Sequence, residues 1–291
     1  MRCNRKRTLW ISVWCGLAVL ALALGGGRVF AADEKEAVKK SAGSYLSAER
    51  KINVTRFDPA APGPHPAVLL LHGIDGADEN EKTYHKLADR LAAKGYVVFF
   101  VRYFDCFADR PKELEFFRDN VKEYLTGAAV NKRECLKAAF QDCLTAVCDG
   151  VRYVRQQPGV DKDRVGVAGF SLGAFLALSA ATRPELKVAA VVDLFGGLPP
   201  EMHGQAKALP PVLVLHGDKD QVVPVKIARD LEKLLKNNET AHEVKVYKDV
   251  GHMFDKGDGK IDWLTALDAE SRAHAFLDKY LKDKNLKKAE K

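Results

Sequence analysis

A three-layer α/β fold, with a mostly parallel central sheet and helices on both faces, is what the patterning of this sequence predicts. Short apolar runs rich in β-branched residues alternate with stretches of helical periodicity from Lys51 to the end, the pattern left by strand–helix–strand crossovers. The run Ala67-Val68-Leu69-Leu70-Leu71 is apolar throughout, as a strand covered on both faces should be. The 291 residues are 47% hydrophobic, without an internal repeat or a low-complexity linker. One large domain with a well-buried core is expected.

The first 31 residues read as an address. Arg2, Arg5, Lys6 and Arg7 precede an apolar run from Leu9 to Leu24, followed by Gly25-Gly26-Gly27 and Val29-Phe30-Ala31-Ala32. A basic head, an apolar middle and a small-residue exit predict a signal peptide cleaved after Ala31. The alternative is an uncleaved anchor, for which the run is short against the roughly 20 residues a membrane span needs. An exported protein, periplasmic or secreted, is expected, with no stable membrane association after cleavage. The chain holds 46 Lys and Arg against 39 Asp and Glu. Five of the basic residues fall within residues 1–31, leaving 41 against 39. A net charge near +2 provides no footprint for nucleic acid. Residues 32–49 are a lead segment, and 50–291 form the domain.

Along that domain, Ala67–Leu71 is the first clear strand. Tyr84, Leu87, Ala88, Leu91 and Ala92 recur at helical spacing, with Asn80 placed to cap the start and Gly95 just past the end. Tyr96 to Val101 is the next strand. Residues 102–130 carry many aromatics, which either line a pocket or pack on a neighbouring helix, and a helix is expected from Lys112 to Leu125. Leu136, Phe140, Cys143, Leu144, Val147 and Val154 mark a long amphipathic helix, at whose start Asn131 and Glu134 resemble a capping box. Strand Val165–Ala168, helix Leu172–Thr182, strand Val188–Asp193 and strand Val212–Leu215 follow. Helix Val225–Leu235, strand Val244–Tyr247 and a last helix from Ile261 or Asp262 to Leu281 complete the pattern.

Four cysteines lie beyond residue 31: Cys106, Cys135, Cys143 and Cys148. The last three share the long helix, where residues eight apart are separated by about 12 Å and a bridge needs Cα atoms within about 7 Å. At most Cys106 pairs with one of them, leaving two buried thiols.

Gly169-Phe170-Ser171-Leu172-Gly173 stands where an apolar strand ends and an Ala- and Leu-rich helix begins. A G-x-S-x-G turn in that context holds its serine in a strained conformation with the hydroxyl exposed above the sheet. Serine needs a base to become a nucleophile. His252, in Gly251-His252-Met253-Phe254 after the last strand, is the candidate. A carboxylate must orient that imidazole. Asp220, in His216-Gly217-Asp218-Lys219-Asp220-Gln221-Val222-Val223-Pro224, is the choice, Asp218 capping the turn and Asp193 remaining the alternative. His216 is expected to support the acid loop without touching substrate. For the oxyanion hole the backbone N–H groups of Leu172 and Ile74 are expected, the latter in Leu71-His72-Gly73-Ile74-Asp75-Gly76. Asp255, Asp258 and Asp262 lie close together, but their spacing does not match a calcium loop, and no metal is expected.

These four segments together resemble the dienelactone hydrolase family, over about residues 50–282. The resemblance implies an α/β-hydrolase fold with little or no cap, acting on small esters or lactones without cofactor or metal. Two positions depart from the family pattern: Ser171 stands where a cysteine nucleophile is usual, and Gly73 where the family carries an acid. The family binds a substrate carboxylate with arginines, one shortly after the histidine, where this chain has Lys256. Lys256, Arg102 and Arg110 are thus candidates for an anionic ester, or ordinary surface charges. The expected function is a serine esterase working through an acyl-enzyme. A serine peptidase of the same fold and a catalytically idle binding protein are the alternatives.

Overall fold

The structure is a computed structural model and describes residues 38–127, 131–257 and 260–283. The predicted signal peptide and its apolar run lie outside the described residues. No described helix is long and apolar enough to cross a membrane.

Eight strands form one sheet: β1 Lys39–Ser47, β2 Arg50–Asp58, β3 His65–Leu71, β4 Val97–Val101, β5 Val160–Phe170, β6 Ala190–Leu194, β7 Val212–Gly217 and β8 His242–Tyr247. They are ordered β1-β2-β4-β3-β5-β6-β7-β8. From β4 to β8 every neighbouring pair is parallel, whereas β1–β2 and β2–β4 are antiparallel. The sheet therefore starts at Lys39, inside the segment read as a lead, and not at Lys51. Its hairpin turns through Ala48 and Glu49, both at positive φ (45° and 66°), the geometry of a tight two-residue hairpin. β1 shows only Tyr45 and Ser47 buried. As an edge strand it begins with exposed Lys39 and Lys40, which discourage pairing with a further chain.

The two-residue period of the strands divides the core. Leu69, Leu71, Phe99 and Val167 face one side, against Phe140, Leu144 and Val147 of α4 (Arg133–Arg155), Phe175 of α5 (Leu172–Ala181) and Leu231 of α6 (Lys226–Asn237). Val68, Leu70, Val98 and Phe100 face the other, against Tyr84 and Leu91 of α2 (Glu81–Ala93) and Phe276 and Leu277 of α7 (Trp263–Leu277). Short α1 (Gly76–Glu79) and α3 (Pro111–Leu125) are the remaining α-helices among the described residues. This is the three-layer α/β-hydrolase architecture.

Two predicted caps are corrected. Lys132, not Asn131, holds the N-cap position of α4, and no side chain caps it there. Asn80 stands at the start of α2, but its amide turns away to donate to Asp75. All four described cysteines are free, with Cys106, Cys143 and Cys148 buried and Cys135 exposed. Cys135 sits in the first turn of α4, before the amphipathic stripe turns inward, so it is not the buried thiol expected.

Candidate active site

Loops that leave the C-terminal ends of parallel strands converge at one edge of the sheet, where ligands of such folds bind. Ser171 follows β5 directly and stands at the N-cap position of α5 with φ 51° and ψ −117°. A non-glycine residue at positive φ stores strain of about 1–3 kcal/mol, and the surrounding chain imposes it here. Gly169 lets β5 and α5 meet: a Cβ there would lie 2.2 Å from Gly173 O. The Ser171 amide donates to Leu194 O of β6 at 2.9 Å.

The loop after β8 brings in His252. Its Nε2 lies 3.0 Å from Ser171 Oγ and its Nδ1 2.7 Å from Asp220 Oδ2. Asp220 comes from the loop after β7, and its Oδ1 accepts the Val222 and Val223 amides, both at 2.8 Å. Burial pushes the Asp220 carboxyl up, but hydrogen bonds from His216 and His252 outweigh it and hold the group well below the usual carboxylate range. Since Asp220 is ionised and accepts at Nδ1, Nε2 is left as an acceptor for the Ser171 hydroxyl proton. Phe195, itself at φ 48°, packs edge-on against the imidazole with ring centres 4.9 Å apart.

Facing Ser171 is the turn after β3. Leu172, as the first residue of α5, has an N–H without an intrahelical acceptor. Ile74 is half-buried and borders a cavity of about 350 Å³ with Pro111, Leu114 and Arg118. The turn is braced from behind. The Gly73 amide donates to Tyr84 Oη at 3.0 Å, and that hydroxyl donates to the Asp75 carboxylate at 3.2 Å. Sequence reading placed Tyr84 only among the core residues of its helix and missed this brace; a hydroxyl on an otherwise apolar stripe was the available signal.

His72 is fully buried beneath the turn, stacked on Tyr103 with ring centres 4.0 Å apart. Nδ1 faces the Gly73 carbonyl at 2.8 Å and so carries the proton. Burial drives this imidazole down to about 3, and it is neutral in the fold. A histidine whose folded pKa lies below its unfolded one contributes stability above about 6.5 and loses it as the pH falls toward 3. Acidifying from pH 7 to 5 therefore costs about 2 kcal/mol through this one residue. In His72→Asn, which keeps a donor for Gly73 O, urea melts at the two pH values are expected to differ less than in the parent by about that amount.

Ser171, Asp220 and His252 are thus brought together. Arg102, Arg110 and Lys256 are each engaged elsewhere. Arg102 pairs with Asp78 at 2.7 Å, Arg110 with Glu113 and Asp142 at 2.8 Å each, and Lys256 lies 3.6 Å from Asp262. Of the aromatic segment, Tyr103, Phe107, Phe117 and Tyr124 are core residues, while Phe104 borders a cavity of about 270 Å³ with His72 and Arg102. Asp262 caps α7, accepting from the Leu264 amide, and Asp255 accepts the Gly257 amide. Asp258 lies outside the described residues.

The model of the dienelactone hydrolase family matches residues 52–281. The chain belongs to that family. Membership makes it a hydrolase of the α/β-hydrolase fold. It is 27% identical over 207 residues, 67% of this chain and 76% of the relative, to a Bradyrhizobium protein named "Probable 2-oxo-3-(5-oxofuran-2-ylidene)propanoate lactonase". Over 190 residues it is 26% identical to acyl-coenzyme A thioesterase 1 of Rattus norvegicus, covering 65% of this chain and 35% of that protein. Dienelactone hydrolase from Anabaena variabilis shares the fold at a TM-score of 0.61 and 19% identity, covering 84% of this chain and 99% of that one.

Proposed function

We propose that this family member is a serine hydrolase cleaving carboxylic esters or lactones of small substrates through an acyl-enzyme. The observation that carries the proposal is the unbroken line from Ser171 Oγ through His252 to Asp220, at 3.0 and 2.7 Å, with Ser171 held at positive φ above the sheet. Ser171 attacks the ester carbonyl while His252 Nε2 takes its proton, and Asp220 stabilises the resulting imidazolium. The amides of Leu172 and Ile74 receive the oxyanion. His252 returns the proton to the leaving alkoxide, and water then enters by the same route to release the acid. The lactonase and thioesterase names among the relatives support acyl chemistry on such a line. Arg102, Arg110 and Lys256 each lie beside a carboxylate, and this reading assigns them no anionic specificity.

Fluorophosphonate labelling of the purified protein, with the modified residue mapped and Ser171→Ala alongside, tests the reading. Labelling at Ser171 that disappears in the variant is expected, followed by faster turnover of p-nitrophenyl esters than of peptide anilides. Folded protein that takes no label would sink it. We further propose, from the basic and apolar head of the sequence, that the chain is exported and processed after Ala31. The intact mass of protein expressed from the full gene checks that cut.

A further inference from the structure

The acyl-transfer steps leave one buried imidazole and one cavity unused. His72 stands immediately before the oxyanion turn and is fully buried. Its Nδ1–H is spent on Gly73 O at 2.8 Å, and one face of its ring on Tyr103. Nε2 has no hydrogen-bond partner. Burial keeps the imidazole neutral, so this nitrogen is an acceptor only. His72 lines the cavity of about 270 Å³ between α1 and the turn after β4, and Nε2 is the one polar side-chain atom it has left to offer there. The guanidiniums of Arg102 and Arg118, the carboxylates of Asp78 and Glu79 and the ring of Phe104 border the same cavity. Arg102 donates to Asp78, and Arg118 to Asp75 O and Glu79. A guanidinium carries five N–H groups, so each has donors to spare. Arg118 and Leu114 also border the cavity of about 350 Å³ beside Ile74. The nucleophile is close by. A Cβ on Gly73 would stand 2.8 Å from Asp75 Oδ1, on the rim of the smaller cavity, and 3.6 Å from Ser171 Cβ.

These groups select by charge and by donor count. An anion would set acceptor against acceptor at Nε2, and a cation would meet carboxylates already paired with arginine. A neutral hydroxyl suits every group present, donating to Nε2 or a carboxylate and accepting from a guanidinium. Phe104 offers an apolar surface for C–H groups, and a buried acceptor left unmatched is costly. We propose that this cavity binds a polyhydroxylated alcohol, a sugar or similar polyol, and that the ester cleaved at Ser171 carries such an alcohol, one of whose hydroxyls donates to His72 Nε2. This rests on the reading of Ser171, His252 and Asp220 as the reacting line. Water cleaves the ester bond overall, releasing the free polyol and the acid. His72, Arg102 and Phe104 touch the substrate away from the reacting atoms and set its specificity.

The test compares glucose acetylated on its primary hydroxyl with cyclohexylmethyl acetate, an ester of the same ring size without hydroxyls. Acetate release is counted per fluorophosphonate-titrated site. kcat/KM is expected to be about 10- to 100-fold higher for the sugar ester. His72→Asn keeps a donor for Gly73 O but is too short to present an acceptor at the Nε2 position, and Arg102→Met removes a donor from the half-buried wall. Each is expected to cut the preference about tenfold. Binding is read without turnover by a nitrogen-15 histidine spectrum. Methyl glucoside is expected to shift the His72 Nε2 signal saturably, and tetrahydropyran, the bare ring, to leave it in place. If His72→Asn fails to fold, Arg102→Met and the spectrum decide. Equal kcat/KM for the two esters, with no shift from methyl glucoside, would overturn the proposal and leave the serine-hydrolase reading standing. A parent that neither labels nor cleaves ester, yet shows the saturable shift, would sink that reading and keep the polyol site.

Discussion

Asp220→Asn is expected to lower kcat on a p-nitrophenyl ester by about 10⁴ with KM little changed. Asparagine can keep its carbonyl oxygen where Oδ1 accepts the Val222 and Val223 amides, so the loop retains its shape. Its NH₂ then stands in place of Oδ2, facing His252 Nδ1 and His216 Nε2, both of which present protons there. Two donors cannot share one donor. His252 escapes by moving its proton to Nε2, where it faces Ser171 Oγ and can no longer accept from it. The imidazole is present but in the wrong tautomer, and steady-state kinetics with counted active sites measure the loss. A drop below tenfold would remove Asp220 from its role and pass it to Asp193, the alternative acid at the end of β6. Stability moves as well. A carboxyl whose folded pKa is depressed contributes above about 3.8 and loses that contribution as the pH falls. The gap in melting temperature between parent and Asp220→Asn is therefore expected to narrow on acidification through that range.

The parallel part of the sheet and the serine–acid–histidine line were legible because each rests on local chemistry. Apolar runs such as Ala67–Leu71 and Val212–Leu215 have few conformational alternatives, and G-x-S-x-G at a strand-to-helix junction specifies its own backbone. The β1–β2 hairpin was not legible. It turns on Ala48 and Glu49, neither of them a residue that favours positive φ, and β1 buries only Tyr45 and Ser47. Its geometry comes from pairing with β2, a tertiary effect that overrides propensity. The capping box at Asn131 failed for a related reason, since a cap signal only reports what a local segment would do alone. Least visible were the contacts behind the site. Sequence reading had His216 supporting the acid loop and Asp193 as a rival acid. That the two share one sheet face follows from strand register, which spacing along the chain does not encode. Likewise, the brace from Gly73 through Tyr84 to Asp75 joins residues whose relation appears only when α2 packs on β3.

The largest loss of stability is expected from Gly173→Ala. A Cβ at this position would stand 2.4 Å from His72 O and 2.6 Å from Leu71 O. Both are backbone atoms at the end of β3, so no side-chain rotation relieves the overlap. The first turn of α5 must lift away from the strand that carries the oxyanion turn. Overpacking of this kind costs about 3 kcal/mol, a fall in melting temperature of roughly 6–12 °C for a domain of this size. Because α5 begins with Leu172 and β3 runs into Gly73 and Ile74, the lift also parts the two amides expected to hold the oxyanion. Misplacing one such donor costs about 100- to 1000-fold in kcat. The folded fraction of the variant should thus still present Ser171 to His252, label slowly with fluorophosphonate and turn over ester poorly. Thermal melts and kinetics per labelled site separate the two effects. A variant as stable as the parent would mean that α5 and β3 are not in the close contact described. One that is destabilised but fully active per site would remove the Leu172 and Ile74 amides from the chemistry.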